Sequence, residues 1–173
     1  LAHHGEGSRC VVWAHNSHIG DARATSMSRR GEINIGQLCR ERFGDAAYLI
    51  GFGTNTGTVA AASDWGAPMQ VKTLRPALPG SCERLCHETG HAGFLLPLDQ
   101  AGDPEVRQGL SKPRLQRAIG VIYRPETERA SHYFEAELAR QFDEYIWVDH
   151  SRAVTTLDSR ELAGMPDTYP FGL

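Results

Sequence analysis

Continuous apolar runs separated by polar segments are the clearest pattern along this chain. They lie at residues 11–14, 47–52, 118–123 and 145–148. Runs of this length without polar alternation are typical of strands that are buried on both faces of a sheet. Residues 69–74 alternate weakly and predict an edge strand, and residues 94–98 predict a further short strand.

Helical periodicity occupies the intervals between these runs. The apolar positions from Ile35 to Phe43 recur at helical spacing and predict a helix that ends at Gly44. Ser81 predicts the N-cap of a helix that continues to Gly90, and Ser131 the N-cap of a helix carrying three spaced apolar residues, Phe134, Leu138 and Phe142. A short helix is predicted over residues 58–63, and residues 15–30, 53–57 and 99–114 are predicted to be loops. The alternation predicts one α/β domain with a largely parallel central sheet flanked by helices.

Composition limits the classes of partner. Of the 173 residues, 40% are apolar and 23% are charged, and the net charge is -3. This balance gives no electrostatic case for nucleic acid or an anionic membrane as the main partner. No apolar run approaches the length of a membrane span, and the first residues show no signal-peptide pattern, so a cytoplasmic location is expected. All four cysteines, Cys10, Cys39, Cys82 and Cys86, are predicted to be core or near-core residues.

Polar and titratable side chains follow the predicted buried strands. Because ligands bind beyond the carboxyl ends of strands in open α/β sheets, these side chains are expected to share one rim. The rim residues are His15, Asn16, His18 and Asp21 after the first strand, Thr54, Asn55 and Thr56 after the second, Arg124, Glu126, Glu128, Arg129, His132 and Tyr133 after the third, and Asp149 and His150 after the fourth. Two histidines three residues apart at a strand end indicate proton transfer, since imidazole titrates near neutral pH.

Three other interpretations of motifs in this chain are disfavoured: dinucleotide binding, a structural zinc site and a serine nucleophile. The glycine pattern at residues 51–57 is one residue too long for a dinucleotide-binding fingerprint, and no acid ends the next strand. Cys86 and His87 are adjacent, which argues against a structural zinc site. No G-x-S-x-G occurs, so activated water is expected in place of a serine nucleophile.

Three alternatives for the rim stay open. His15 and His18 can chelate a metal with Glu126 or Asp21 as the third ligand. Arg124 and Glu126 can pair across a turn without any catalytic role. His132, predicted near a helix N-terminus, is kept neutral there, and it serves either as a proton acceptor or as a packing residue.

Four long stretches resemble the erythromycin esterase family, in the same order and over essentially the whole chain. They are VVWAHNSHIGDARAT at 11–25, GEINIGQLCRERFGD at 31–45, IGFGTNTGTVAAASDWG at 50–66 and RAIGVIYRPETERASHYFEAELARQFDEYIWVDHSRAV at 117–154. The ending TYPFGL at 168–173 resembles the C-terminus of that family. Its members include macrolide-inactivating esterases and homologues named as succinoglycan biosynthesis proteins.

The resemblance implies a mixed α/β fold and hydrolysis of a macrolide lactone, or a related small-molecule ester, by histidine-activated water without a metal or other cofactor. It places His15, His18, Glu126 and His132 in catalytic roles, with Glu126 holding a histidine in one tautomer. Arg129 and Tyr133 bind substrate by the same resemblance, and Asn16, Asp21 and Thr54 are added from the strand-end pattern.

The chain departs from the family in one large respect. The family's principal general base is a histidine in the N-terminal half, and nothing here matches that half. Residues 1–173 are therefore interpreted as the C-terminal part of a single domain, which needs the missing half as its partner and is inactive alone. The rival interpretations are a metal-dependent hydrolase that uses His15 and His18, and a homologue that binds a small molecule without catalysis.

Overall fold

A computed structural model of the chain describes residues 2–5 and 7–155. The helices are α1 (Asn16–Ile19), α2 (Ile35–Phe43), α3 (Cys82–Glu88), α4 (Pro104–Leu110), α5 (Glu128–Ser131) and α6 (Leu138–Gln141). The strands are β1 (Ile50–Ala61), β2 (Gln70–Leu74), β3 (Gly93–Pro97), β4 (Arg114–Arg117), β5 (Tyr133–Ala136) and β6 (Glu144–Ser151). The TYPFGL ending lies outside the described residues.

The central sheet is mixed, in the strand order β2-β1-β6-β3, and β4 pairs with β5 in a second, two-stranded antiparallel sheet. The predicted α/β class with a mixed central sheet and flanking helices is confirmed. The sheet is less parallel than predicted, because only β1 and β6 run parallel, while β2 and β3 pair antiparallel at the two edges.

Two of the apolar runs were wrongly predicted to be strands. Residues 11–14 are irregular, and Val11 and Trp13 are 90% and 85% exposed. Residues 118–123 are also irregular, because β4 ends at Arg117 and a single bridge joins Ile122 to Ala62 at the end of β1. An apolar run predicts that side chains seek contact, but it does not supply the neighbouring strand that pairing requires.

Residues 53–57 were predicted to be a loop and residues 58–63 a helix, and both predictions are wrong. Strand β1 continues through this stretch to Ala61. Glycines are needed here for packing. A Cβ atom at Gly51 would lie 2.7 Å from the ring of Phe142, and one at Gly53 would overlap Tyr145. The G-x-G pattern therefore reflects the close approach of aromatic rings to a strand and does not form a phosphate-binding loop.

The C-terminal region divides differently from the prediction. The expected helix from Ser131 to Phe142 is three elements, because α5 ends at Ser131, β5 follows, and α6 starts at Leu138. Ser131 is thus the last residue of α5 and not an N-cap. The predicted loop at 99–114 contains α4, whose N-cap Asp103 accepts hydrogen bonds from the amides of Glu105 and Val106.

Helix α3 has the N-cap predicted for it, and α2 has an N-cap as well, Asn34. The Asn34 side chain accepts from the amide of Gln37, and the Ser81 side chain accepts from the amide of Arg84. Gly44 and Gly90 follow the helices with positive φ angles of 53° and 75°. None of the helices in the described part of the chain is long and apolar enough to cross a membrane.

The two faces of the central sheet differ in how well they are covered. One face packs against α3, α4 and α6 around the main core, whose largest members are Trp147, Tyr145 and Phe142. The other, which we call the open face, carries Phe52, Leu95, Ile146 and Val148, which neighbour one another in register. Phe52 is 43% exposed and Leu95 is 64% exposed. The open face is therefore apolar and largely exposed, although the Trp13 ring lies 5.6 Å from the Phe52 ring.

The four cysteines differ in how deeply they are buried. Cys82 and Cys86 are buried in the main core, as predicted, and burial raises the pKa of Cys86 to about 12. Cys39 is half-buried, and Cys10 is exposed, so the prediction that all four are core or near-core residues is wrong for Cys10. Cys10 lies in the same irregular segment as Val11, where no strand forms to bury it.

Candidate functional site

Helix α1 lies against β1 at Phe52, where β1 pairs with β6 on one side and has no neighbouring strand on the other. The side-chain amide of Asn16 donates through Nδ2 to the carbonyl of Phe52 at 2.6 Å, and its Oδ1 accepts from the backbone N–H of Phe52 at 3.1 Å. Asn16 thus satisfies the backbone of β1 much as a neighbouring strand would. Asn34 adds two hydrogen bonds of 2.8 Å from its side-chain amide to the carbonyls of Ser17 and Gly20. These amides fix the position of the histidine pair.

His15, the N-cap of α1, has both ring nitrogens occupied. Its Nε2 lies 3.1 Å from the carbonyl oxygen of Ile119, and its Nδ1 lies 3.2 Å from the amide of Ser17 and 2.8 Å from the Ser17 Oγ. Because a carbonyl only accepts, this network assigns the ring proton to Nε2 and leaves the lone pair of Nδ1 facing Ser17. Burial, opposed by the Ile119 bond and aided by His18, lowers the pKa of His15, so the ring is neutral near pH 7.

His18 lies beside His15, with 6.3 Å between the ring centroids, and it is exposed. No hydrogen bond joins its ring to any other described residue. The pair is therefore asymmetric, since His15 is oriented by the protein and His18 is open to an incoming molecule. Asp21 is buried and committed elsewhere: it caps a 3-10 helix and receives Arg23 through both carboxylate oxygens, at 3.0 and 2.6 Å.

The segment that follows residue 123 contributes side chains of two kinds. Glu126 and Arg129 are exposed, and Glu126 lines a shallow groove of about 370 Å³ together with Lys72 and Arg124. In the described residues no hydrogen bond joins Glu126 to a histidine. The carbonyl of Ile119 holds the tautomer of His15 instead.

His132 and Tyr133 are buried. The His132 Nε2 accepts from the backbone N–H of Arg124 at 3.0 Å, and its ring packs at 5.3 Å from the Tyr123 ring. His132 is the C-cap of α5, which corrects its predicted place near a helix N-terminus, and burial lowers its pKa. The Tyr133 hydroxyl accepts from the amide of Leu78 at 3.1 Å, and burial raises its pKa.

A buried ionic network connects these segments, and the sequence pattern did not single it out. Arg117 lies 3.3 Å from Glu128, and both side chains are 3% exposed. The Arg117 guanidinium also donates to the carbonyls of Arg75, at 2.8 Å, of Asn55, at 2.7 Å, and of Thr54. Thr54 therefore contributes its carbonyl to the network, while its hydroxyl bonds the carbonyl of Thr56 within the same strand at 3.3 Å.

Glu128 and Glu83 complete the network. Glu128 accepts from the Tyr123 hydroxyl at 3.0 Å, and Glu83 accepts from the backbone N–H of Arg117 at 3.0 Å. Burial raises the pKa of Glu83, which favours its neutral form. The sequence had placed Glu128, Thr54 and Asn55 at the rim, but Arg117 and Glu83, which connect them in the buried network, carried no local signal.

A second histidine pairing lies on the packed side of the sheet. The His87 Nδ1 is 2.7 Å from the Asp149 carboxylate, and the Asn55 amide approaches the same nitrogen at 3.0 Å. Asp149 and Asn55 were predicted to lie at the rim, whereas His87 was considered as a ligand of a structural zinc site. No group of three His, Cys, Asp or Glu side chains in residues 2–5 and 7–155 is arranged to hold a metal ion.

The structure thus divides six of the predicted site residues into two sets. His15, Asn16 and His18 lie together on α1, and Asn16 serves there as an anchor. His132, Tyr133 and the carbonyl of Thr54 belong to the buried region around Arg117. Ile119, which holds His15 and is two residues after Arg117, connects the sets, whereas Asp21, Glu126 and Arg129 belong to neither.

Comparison with known proteins identifies a family and two solved structures that are similar to this chain. The sequence model of the erythromycin esterase family matches residues 1–151. A crystal structure of a succinoglycan biosynthesis protein at 1.7 Å resolution shares 22% identity with a TM-score of 0.69, over 87% of this chain and 35% of that one. A Bacillus cereus protein shares 18% identity with a TM-score of 0.67, over 82% and 33% of the two chains. At these identities the solved structures show the fold alone, and this chain spans about a third of their length.

Proposed function

Because the chain belongs to the erythromycin esterase family, we propose that it forms part of a carboxylic ester hydrolase in which His15 and His18 act on an ester carbonyl. The observation that carries the proposal is the asymmetry of the pair, with one neutral imidazole oriented by the protein and the other open to solvent. A macrolide lactone or a related small-molecule ester is the proposed substrate class. Hydrolase chemistry is a family-level inference, and the two solved neighbours support the fold.

The proposed chemistry assigns a different task to each imidazole. A neutral His15 accepts a proton at Nδ1 from the attacking oxygen, which the family resemblance identifies as water. An exposed His18 donates to the carbonyl oxygen as negative charge develops there. The bond from His15 Nε2 to Ile119 leaves Nδ1 as the nitrogen that accepts the proton. The proposed steps use only the two imidazoles and the attacking oxygen.

The open face supports a second part of the proposal, which concerns the rest of the protein. We propose that residues 1–173 are the C-terminal part of a single domain and that another part of the same protein covers Phe52, Leu95 and Val148. Helix α2 also exposes two apolar residues, Ile35 and Leu38. An apolar surface of this extent is typical of an interface. The solved neighbours, about two and a half times as long, have the additional chain to cover it.

The proposal is tested on the protein as its gene encodes it, with erythromycin and 4-nitrophenyl acetate as substrates. We expect His18→Ala and His15→Ala each to lower the rate of ester hydrolysis by about 100- to 10,000-fold, the usual contribution of a proton-transferring group. His91→Ala is the matched control, because His91 is exposed and outside α1. Rates equal to the unsubstituted protein in both α1 variants would remove the pair from the mechanism.

A chelator separates this proposal from a metal-dependent hydrolase. The adjacency of His15 and His18 favours that rival, whereas a metal at His15 would have to displace Ile119 or Ser17 from its ring. We expect the rate of ester hydrolysis to be unchanged after treatment with EDTA and dialysis. A loss of activity that zinc restores would favour the metal mechanism. Binding of erythromycin without turnover would favour a non-catalytic homologue.

A further inference from the structure

His132 holds both ends of the segment that carries Ile119. The backbone N–H of Ala118 donates to the carbonyl of His132 at 2.8 Å, and the backbone N–H of Arg124 donates to the Nε2 atom of the His132 ring at 3.0 Å. Between these two contacts lies Ile119, whose carbonyl accepts from His15 Nε2 at 3.1 Å. We infer that His132 is a positioning residue for His15, which acts through the Ile119 carbonyl and does not itself contact the ester.

The segment that carries Ile119 depends on these contacts because no strand forms in it. Its C-terminal half is also held by Ala62, whose N–H donates to the Val121 carbonyl at 2.8 Å and whose carbonyl accepts from the Tyr123 N–H at 3.0 Å. The Ile119 carbonyl lies before these contacts and is followed by Gly120, where a side chain would meet no atom within 4 Å. Because glycine gives the backbone extra freedom, the position of this carbonyl depends on how firmly both ends of the segment are held.

The His132 ring has no lone pair left for a substrate. Its Nε2 accepts from Arg124, so the proton of the neutral ring lies on Nδ1. Burial lowers the pKa of His132, opposed by a hydrogen bond with the backbone of Ala118, and the ring is neutral near pH 7. Its tautomer is the opposite of the one in His15, where Nε2 carries the proton. The only acceptor of the His132 ring is therefore already used inside the protein.

Three roles of His132 can be separated by substitution: proton transfer, acceptance of the Arg124 N–H, and packing. Proton transfer needs an imidazole. Acceptance needs only an acceptor atom in the place of Nε2, which the side-chain carbonyl of glutamine supplies. Packing against the Tyr123 ring, 5.3 Å away, needs only an aromatic ring, which phenylalanine supplies. His132→Gln and His132→Phe therefore each keep a different property of the residue.

The contact itself can be measured by NMR without any ester, on the protein as its gene encodes it, labelled with 15N-histidine. His15→Gln identifies the His15 signals by removing them. We expect His15 to be protonated on Nε2 and His132 on Nδ1. A His132 ring that is protonated on Nε2 would overturn the inference, because that nitrogen could not accept from Arg124.

The positioning effect is measured as the rate at which the His15 Nε2 proton exchanges with solvent. We expect His132→Phe to raise this rate about tenfold or more, since the Ile119 carbonyl is held less firmly, and His132→Gln to change it by less than about twofold. His91→Phe is the matched control at an exposed histidine and should leave the rate unchanged. An unchanged rate in His132→Phe would overturn the inference. If His132→Phe does not fold, faster exchange in a folded His132→Gln protein would overturn it instead.

The consequence for catalysis rests on the proposed function. With 4-nitrophenyl acetate we expect His132→Phe to lower kcat by about 10- to 100-fold at a nearly constant KM, because a misplaced base slows the chemical step more than it weakens binding. His132→Gln should keep most of kcat. Equal losses in both variants with normal His15 exchange would make His132 a proton-transferring residue, and full kcat in His132→Phe alone would make it a packing residue. Either result would overturn the inference.

The exchange measurement separates this inference from the proposed function. A protein that hydrolyses no ester, but in which His132→Phe accelerates exchange at His15 and His132→Gln does not, would defeat the proposed function and leave the positioning of His15 by His132 standing. Ester hydrolysis that depends on His15, with exchange that is the same in both His132 variants and in the unsubstituted protein, would retain the proposed function and overturn the inference.

Discussion

Helix α1 and the buried region around Arg117 are both rich in titratable side chains, but their polar groups have different partners. In the buried region each guanidinium or carboxylate meets another protein group, as in the contact between Arg117 and Glu128. On α1 His15 is oriented by the protein, and the neighbouring His18 is exposed, with no hydrogen bond from its ring to a described residue. The difference teaches that a polar group left open to solvent beside an oriented one, and not the density of polar residues, distinguishes a candidate reactive site from a scaffold.

The largest effect is expected where the buried pair is broken. Glu128→Gln leaves the Arg117 charge without its counter-ion in a site from which water is excluded. We expect the free energy of unfolding to fall by about 3–5 kcal/mol, measured by urea denaturation. Glu126→Gln is the matched control, since Glu126 is exposed, and its effect should stay within about 0.5 kcal/mol. Equal effects of the two substitutions would show that the region around Arg117 is no scaffold.

A smaller effect is expected at the anchor of α1. Asn16→Ala removes both hydrogen bonds to Phe52 and leaves backbone groups of β1 without that partner. We expect a loss of about 1–3 kcal/mol in the same unfolding experiment. Gln37→Ala, which removes only an exposed bond to Glu41 of 2.8 Å, is the comparison. A stable Asn16→Ala protein would mean that α1 is held mainly by Asn34.

The smallest effect is a pH dependence that both regions share. Burial lowers the pKa values of His15 and His132 below the ordinary 6.5, so between the lowered value and 6.5 the unfolded chain holds more protons than the folded one. The free energy of unfolding should therefore fall as pH decreases through this window and be insensitive to these groups above it. His15→Gln should flatten the slope, whereas His3→Gln, at an exposed residue, should not. A gain of stability on acidification through this window would contradict the assignment.

How far the sequence predicted the fold depends on whether each element's signal is local. The two helices α2 and α3 were predicted correctly, because the apolar spacing of α2, the N-cap Ser81 and the glycines that follow these helices are local features. Residues 11–14 and 118–123 were predicted as strands and are not, since pairing depends on a neighbour that no local pattern reveals. The spacing of Phe134, Leu138 and Phe142 suits a helix, yet tertiary contacts divide that stretch among β5, α6 and the residues that follow.

The candidate site was predicted in the same uneven way. The histidine pair after an apolar run was evident in the sequence, and so was the family to which the motif belongs. The orientation of His15 was not evident, because it depends on a contact with Ile119, which is 104 residues away in the chain.

The sequence by itself determined the α/β class, the local caps and the presence of two imidazoles three residues apart, because each of these depends on residues close together in the chain. Only the tertiary structure decided which imidazole is held and which is open, since the proton on His15 is placed by a distant backbone carbonyl. It also decided that the Arg117 network is a scaffold, because burial and pairing are properties of the whole fold. A reactive site and a buried ionic cluster are built from the same residue types, and the partners that distinguish them are brought together by folding.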